Sequence, residues 1–450
     1  MISISRVIPS LLLLVCLVLA AAVPSAVHAQ GPRFDLVHFT LANGLETVIL
    51  PNHRAPVVLV QVFYKVGAAD GPPGKNGAAH FLEHLMFKGT ARYPDGAFDR
   101  LIQSHGGESN ASTNQDVTEF HEVIPKDQLE QVLDIEADRM EHLTLDDATV
   151  LPERDVIIEE RRQRIDNDPG AQLAEAENAA LYLNSPYRLP VIGWLHEMKQ
   201  YTTQDALDFY RHYYAPNNAV LVLAGDVTPQ EARGLVEKHF AALARRDIPR
   251  RQRLVEPPHR VTTQVSFRSP LAHLPSIGIS FLAPSYRTAT GNDAYALQVL
   301  REVLSGDTGL LYEDMVIDKK VAAGVGARYS PRPYDVSSFG LWAATNDEKQ
   351  LDGIRERFMT ITHKIALGGV TREELANAKK RLLIAVIKTR ADLTGPADIV
   401  GTGLATDRSL LDIQNWPTFI EAVTNDDIKR AAQSVFSVPG VESRLLPGEQ

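Results

Sequence analysis

The sequence predicts an α+β protein of two homologous αβ domains, each a mainly antiparallel sheet with helices packed on one face. Three observations carry this expectation. An order of strand, Gly/Pro-rich loop and helix occurs in residues 57–89 and again in 276–306. Other strand-like runs, such as 219–225 (AVLVLAG), are followed by helical ones such as 229–243 in mixed order rather than strict βαβ alternation. A chain of 450 residues also exceeds one ordinary core, at roughly 150 residues per domain. Superposing the helix-ending glycines Gly89 and Gly306 puts the internal repeat at an offset of 217 (306 − 89).

The chain opens with Arg6, an apolar run from Leu11 to Val23, Pro24 and the small-residue site Val27-His28-Ala29. This pattern predicts a secretory signal peptide, residues 1–29, cut after Ala29. The apolar run falls short of the roughly 20 residues that span a bilayer, so no stable membrane anchor is expected after cleavage. The only cysteine, Cys16, lies inside this leader, and the mature chain would hold itself together by core burial without disulfides. An exported, cysteine-free protein of this size suits a bacterial periplasm.

Composition is ordinary for a globular protein, at 44% hydrophobic and 23% charged residues, which excludes wholesale disorder and a multi-pass membrane protein. The net charge of −10 carries no nucleic-acid footprint. One basic run, Arg245 to Arg253 (RRDIPRRQR), sits among Pro and polar residues and reads as a solvated linker. It divides a first domain, 30–244, from a second, 263–450, with the linker at 245–262.

The first domain carries His80-Phe81-Leu82-Glu83-His84 on the helix that follows its Gly/Pro-rich loop. Positions i and i+4 share a helix face, so both imidazoles can reach one tetrahedral ion, and Glu83 projects beside them. This HxxEH order is the inverse of HExxH and solves the same geometric problem. At an offset of 217, His80, Glu83 and His84 map onto Leu297, Leu300 and Arg301, so the polar triplet is expected to be absent from the copy and not demanded by the fold. A catalytic zinc wants a third protein ligand and one open position. The stretch 153–160 (ERDVIIEE) offers Glu153, Asp155, Glu159 and Glu160, and helical spacing puts Glu153 and Glu160 on one face without choosing among the four.

The HFLEH run followed by Met86-Phe87-Lys88-Gly89-Thr90, and Glu153-Arg154-Asp155-Val156-Ile157-Ile158 ending at Glu160, closely resemble the pitrilysin and insulinase family of zinc metallopeptidases, especially its mitochondrial-processing-peptidase-like branch. The resemblance covers nearly the whole mature chain and includes Asn110-Ala111 before Asp116-Val117-Thr118, Pro186-Tyr187 with Gly193 beyond, and Ala215-Pro216-Asn217-Asn218 before Gly225-Asp226. It implies one Zn2+ per chain held by His80, His84 and Glu160, with Glu83 as general base in peptide hydrolysis. Glu153 would hydrogen-bond a ligand histidine or the metal-bound water, fixing ring orientation and tuning basicity. Asn110 and Ala111 would lie on an edge strand to which an extended peptide adds.

The sequence departs from the family in its second half. Many members supply there an Arg and, seven residues on, a Tyr that hold the substrate near the metal. Read through Leu311-Tyr312 without a gap, those positions are Val316 and Ala323, while Arg328 and Tyr329 are adjacent and would point to opposite strand faces. Either a small gap hides the pair or a homologous second subunit provides it. The second is expected, making this chain the metal-bearing half of a heterodimer. The alternative function is a non-catalytic structural or peptide-binding member, although such members lose metal-ligating residues and this chain keeps them.

Overall fold

Residues 57–64 (VVLVQVFY) are apolar at seven of eight positions rather than alternating, and the fold explains why. Val58, Val60, Val62 and Tyr64 face one helical layer, while Leu59 and Phe63 face another. A strand covered on both faces has no solvent side to keep polar. In this computed structural model, which describes residues 34–448 except 95 and 391, the strand is the third in chain order of six in the first sheet. The expected leader, residues 1–29, lies outside the described residues.

The first sheet contains β1 (Val37–Thr40), β2 (Glu46–Pro51), β3 (Val57–Tyr64), β4 (Glu108–Thr113), β5 (Thr118–Pro125) and β6 (Ala219–Gly225), in the order β1-β2-β6-β3-β5-β4. The second contains β7 (Thr263–Ser269), β8 (Ser276–Ala283), β9 (Gly324–Tyr329), β10 (Ser337–Ala344) and β11 (Val441–Pro447), in the order β7-β11-β8-β10-β9. In each sheet the last strand of the chain enters between the first two elements of the repeat, parallel to one (β2–β6, β7–β11) and antiparallel to the other (β3–β6, β8–β11). All other pairings are antiparallel. The two sheets are copies of one design.

Helices of eight or more residues in the first half are α1 (Ala78–Leu85), α2 (Ala97–Ser104), α3 (Leu129–His142), α4 (Asp147–Arg161), α5 (Pro169–Leu181), α6 (Thr203–Tyr213) and α7 (Pro229–Phe240). In the second half they are α8 (Asp293–Leu304), α9 (Leu351–Gly368), α10 (Arg372–Thr389), α11 (Thr394–Ala405) and α12 (Asn425–Phe436). Among the described residues no helix is long and apolar enough to cross a membrane. Each half packs its own helices on one sheet face, through Phe81, Leu82 and Leu85 of α1 in the first and Leu297, Leu300 and Leu304 of α8 in the second.

Burial corrects the repeat register by one position. Ala79, Leu82, Leu85 and Met86 of the first copy are at most 1% exposed, and so are Leu297, Leu300 and Leu304, with Val303 at 3%. These sets superpose at an offset of 218 (297 − 79); at 217, Leu85 would fall on charged Glu302. His80, Glu83 and His84 therefore correspond to Gln298, Arg301 and Glu302, not to Leu297, Leu300 and Arg301. Polar side chains persist at these positions in the copy, whereas the histidines do not.

The opposite face of each sheet is covered by a helix from the other half. Helix α5 packs across β11, β7 and β8, and α11 packs across β6, β3 and β2. The exchange is reciprocal to the level of single contacts. Gln61 Nε2 on β3 donates to Asp398 Oδ1 on α11 at 2.9 Å, and Ser280, which stands on the repeat-related strand β8, donates to Glu177 on α5. At Gly401 on α11 the backbone lies so close to Phe63 that a Cβ would stand 2.1 Å from the ring.

The basic linker is solvated at Arg245 and Arg250, as its composition suggested, but not at its far end. Arg253 pairs with Asp70 (2.7 Å) and Asp116 (3.0 Å), all three side chains being at most 5% exposed. Arg251, Arg253 and Arg287 lie over the Tyr334 ring at 4.9, 5.6 and 4.1 Å. Asp116 Oδ2 also accepts from the Tyr187 hydroxyl (2.5 Å) and the Tyr334 N–H (2.9 Å). The counter-charges are thus two buried acids far from the run in sequence, and a local reading of the run misses them.

The close approach of α11 to β3 has a measurable consequence. Gly401→Ala should destabilise the protein by about 1–3 kcal/mol through overpacking against Phe63. Gly353→Ala on α9, where a Cβ meets nothing within 4 Å, should leave stability unchanged or raise it by up to about 1 kcal/mol. Urea unfolding of both variants checks this, and equal effects would contradict the packing described.

Candidate metal centre

Helix α1 starts at Gly77, whose φ of 89° is left-handed and whose Cβ, if present, would stand 2.5 Å from the Ile192 carbonyl oxygen. Glycine at this point lets the 189–193 segment close over the start of the helix. The apolar side of α1 faces the core, and its other side presents His80, Glu83 and His84 to a cleft of about 730 Å³. Helix α4, capped by Asp146 on the Thr149 N–H, crosses α1 and brings Glu153 and Glu160 to the same cleft. Spacing left four acids open in this stretch; of these, Asp155 and Glu159 do not line the cleft.

Glu160 Oε2 lies 3.2 Å from His84 Nε2 and 3.6 Å from His80 Nε2. One ligand atom from each of the three residues falls within 4.8 Å of the others. Around tetrahedral zinc, with bonds of about 2.0–2.2 Å, ligand atoms stand roughly 3.3–3.5 Å apart. Glu160 Oε2 is buried without a hydrogen bond, an orphan that a cation at the point of convergence would satisfy. The donor set and its spacing fit zinc.

His84 and Glu160 each have their own support, whereas His80 Nδ1 is buried without a hydrogen-bond partner among the described residues. His84 Nδ1 is 2.9 Å from Glu153 Oε1, and Lys88 pairs with the other oxygen of Glu153. Glu160 Oε1 is held by Arg164 at 3.0 Å, which leaves Oε2 for the centre. Burial opposes an imidazolium at both histidines. At His84 the adjoining carboxylates of Glu153 and Glu160 outweigh burial, and the ring is pushed up to about 9; at His80 burial and the neighbouring His84 prevail, and it is pulled down to about 4. Glu160 is held below its ordinary range by the adjoining His84 imidazole, and Glu153, despite burial, by His84 and Lys88.

Glu83 is 8% exposed, and burial raises its pKa against the opposing pull of the Thr113 hydroxyl, which donates to Oε2 at 2.5 Å. A carboxylate with one oxygen tied and a raised proton affinity is suited to accept a proton. Thr113 ends β4, the edge strand of the first sheet, which pairs only with β5. Asn110 and Ala111 lie on this edge and line the cleft, and the Ala111 N–H is held by the Asn110 side-chain oxygen at 2.9 Å.

Thr113, Lys88 and Arg164 escaped sequence reasoning. Lys88 stands four residues after His84, a spacing that could have flagged it; Thr113 gives no local signal. Every described residue lining the cleft falls between 80 and 192. Val316 and Ala323 are not among them, and neither are Arg328, which lies over Trp342, or Tyr329, whose hydroxyl donates to the Pro284 carbonyl at 2.6 Å.

Comparison with known proteins converges on one group. Residues 47–193 match the insulinase family (peptidase family M16), and residues 200–382 match the peptidase M16 inactive domain. The chain is 31% identical to the zinc protease PqqE of Helicobacter pylori over 387 residues, 84% of this chain and 86% of that protein. It is 25% identical to a probable mitochondrial-processing peptidase subunit beta of Arabidopsis thaliana over 404 residues, 87% of this chain and 75% of that protein. The crystal structure of a protease from Helicobacter pylori superposes with a TM-score of 0.85 at 28% identity, covering 92% of this chain and 100% of that one.

The convergence of donors makes a direct prediction. Protein purified without added metal should hold about one zinc per chain by elemental analysis. His80→Ala or His84→Ala should remove stoichiometric zinc, and wild-type occupancy in both variants would show the site to be misassigned.

Proposed function

The chain belongs to the insulinase (M16) family of peptidases, and on that premise we propose that it is a zinc-dependent endopeptidase acting on peptides or unfolded segments in an enclosed chamber. The observation that carries the proposal is the meeting of His80, His84 and Glu160 beside a buried Glu83. Bound there, zinc would supply Lewis acidity toward water and the scissile carbonyl. The chain's own residues do the rest.

An extended peptide adds to the free edge of β4, displacing the Asn110 side chain from the Ala111 N–H and taking that donor for a backbone hydrogen bond. This holds the peptide in register across the cleft. Glu83, oriented by Thr113, accepts the proton from the attacking water and returns it to the leaving amine. Glu153, buttressed by Lys88, fixes the ring plane of His84.

A cleft lined, among the described residues, only by those between 80 and 192, with Val316 and Ala323 where the family often has its substrate-holding pair, supports a homologous second subunit as the source of that pair. The leader-like start of the chain supports a periplasmic location. Co-purification from the native periplasm should recover a homologue that has the Arg and Tyr but lacks HxxEH, and adding it should raise peptide turnover. Full activity from a homogeneous monomer or homodimer would overturn this part of the reading.

Two substitutions separate ligation from proton transfer. Glu83→Gln should keep zinc but lower kcat by several orders of magnitude, because an amide cannot accept the proton. Thr113→Val should keep zinc and KM while lowering kcat roughly tenfold, by releasing the base from its productive rotamer. Near-normal turnover by Glu83→Gln on an unfolded peptide would contradict the assignment.

A further inference from the structure

The second half contains a cavity at the place equivalent to the metal cleft, and its chemistry is inverted. The cleft is lined on α5 by Ala171, Ala174, Glu175 and Asn178; the cavity is lined on α11 and just beyond its end by Ile399, Thr402, Gly403 and Thr406, the same spacing at a constant offset of 228 (399 − 171). Gln298 occupies the position of His80. Val386 and Arg390 follow Glu160 and Arg164 at an offset of 226 (386 − 160), so the acid is gone and the arginine remains.

In place of a cation site, three cations face the space. Arg332, Arg390 and Arg408 line it, and none of them forms an ion pair among the described residues. Arg390 is the informative one. Its Nε and Nη1 are buried without a hydrogen-bond partner among the described residues, its guanidinium lies over the Phe34 ring at 4.4 Å, and burial lowers its pKa. Arg408 stacks on Tyr286 at 3.7 Å and donates to the Asp412 backbone carbonyl at 3.4 Å. Gln298 Oε1, a neutral acceptor in the same wall, is already taken by Tyr286 Oη and Trp416 Nε1, both at 3.1 Å.

Two buried guanidinium nitrogens without an acceptor are costly, and the group's planar fork matches a carboxylate. Beside Gln298, Thr402 and Thr406, the remaining walls are largely apolar and aromatic, from Phe34, Val386, Ile413 and Trp416. The enclosed volume of about 130 Å³ is close to the roughly 150 Å³ void that accepts benzene. We propose that this cavity is a second binding site, for a carboxylate borne on one apolar or aromatic group, such as the C-terminal residue of a peptide or a small monocarboxylic acid. The half without a metal site thus retains a ligand cleft with its charge reversed.

The test uses the full mature chain stripped of metal by a chelator, so that the first cleft cannot capture the probe through zinc. N-acetyl-phenylalanine should bind at one site by calorimetry, with its amide and inorganic phosphate each at least about tenfold weaker. Arg390→Gln and Arg408→Gln should each weaken the acid by about tenfold or more at an unchanged melting temperature, with Arg390→Lys retaining part of the affinity and His80→Ala all of it. A pentapeptide ending in phenylalanine that binds more tightly than the single residue would identify peptide C-termini as the ligand; equal affinity would identify small acids. Equal binding of acid and amide, phosphate binding as tight as the acid, no binding at millimolar concentration, or indifference to Arg390→Gln would each overturn the proposal.

Discussion

Burying two imidazoles and a carboxylate within five residues of one helix carries a desolvation cost that the surrounding fold must offset. The first half of this chain is organised around that constraint. Glu153 and Lys88 form a chain behind His84, Arg164 turns one oxygen of Glu160 outward and leaves the other at the centre, and Thr113 ties Glu83 from the edge strand. The groups come from α1, β4, α4 and the turn that follows it, so the sheet, the crossing of α4 over α1 and the glycine contact at Gly77 are all needed to assemble them. Two atoms of the centre stay unsatisfied among the described residues: Glu160 Oε2, which points where a cation would complete the set, and His80 Nδ1.

The second organising feature is the exchange of α5 and α11. Each helix lies on the sheet of the opposite half and at the same time walls the cleft of its own half. A shift between the halves would therefore move a wall of the cleft that holds His80, His84 and Glu160, which links inter-domain packing to the geometry of that site. The strap of Arg251 and Arg253 on Asp70 and Asp116 adds to this coupling, since Asp116 sits in the turn that joins β4 to β5 and also holds Tyr187 and the Tyr334 backbone.

The fold class was legible in the sequence because strand–loop–helix order repeats and because each layer has its own hydrophobic period. The exchange of helices was not: α5 is PGAQLAEAENAAL, whose small residues suit close packing but do not name the partner, and that partner is a sheet formed by residues after 262. Arg251 and Arg253 of the linker looked solvated because their counter-charges, Asp70 and Asp116, are remote in sequence. The repeat was visible but misregistered by one position, since a glycine marks a helix end less sharply than a row of buried leucines marks its face. HxxEH was readable from helical spacing alone. The choice of Glu160 over its three acidic neighbours rested on family resemblance, and the geometry now distinguishes it: Glu153 meets the far nitrogen of His84, whereas Glu160 meets the near ones.

The central claim is that one zinc ion sits among His80, His84 and Glu160. Anomalous X-ray diffraction at the zinc edge from crystals of the protein tests it most directly. The account predicts a single strong peak about 2.0–2.2 Å from His80 Nε2, His84 Nε2 and a Glu160 carboxylate oxygen, with Glu83 near but not bonded to it. Zinc held by other residues, or active crystals with no anomalous density at this point, would contradict it.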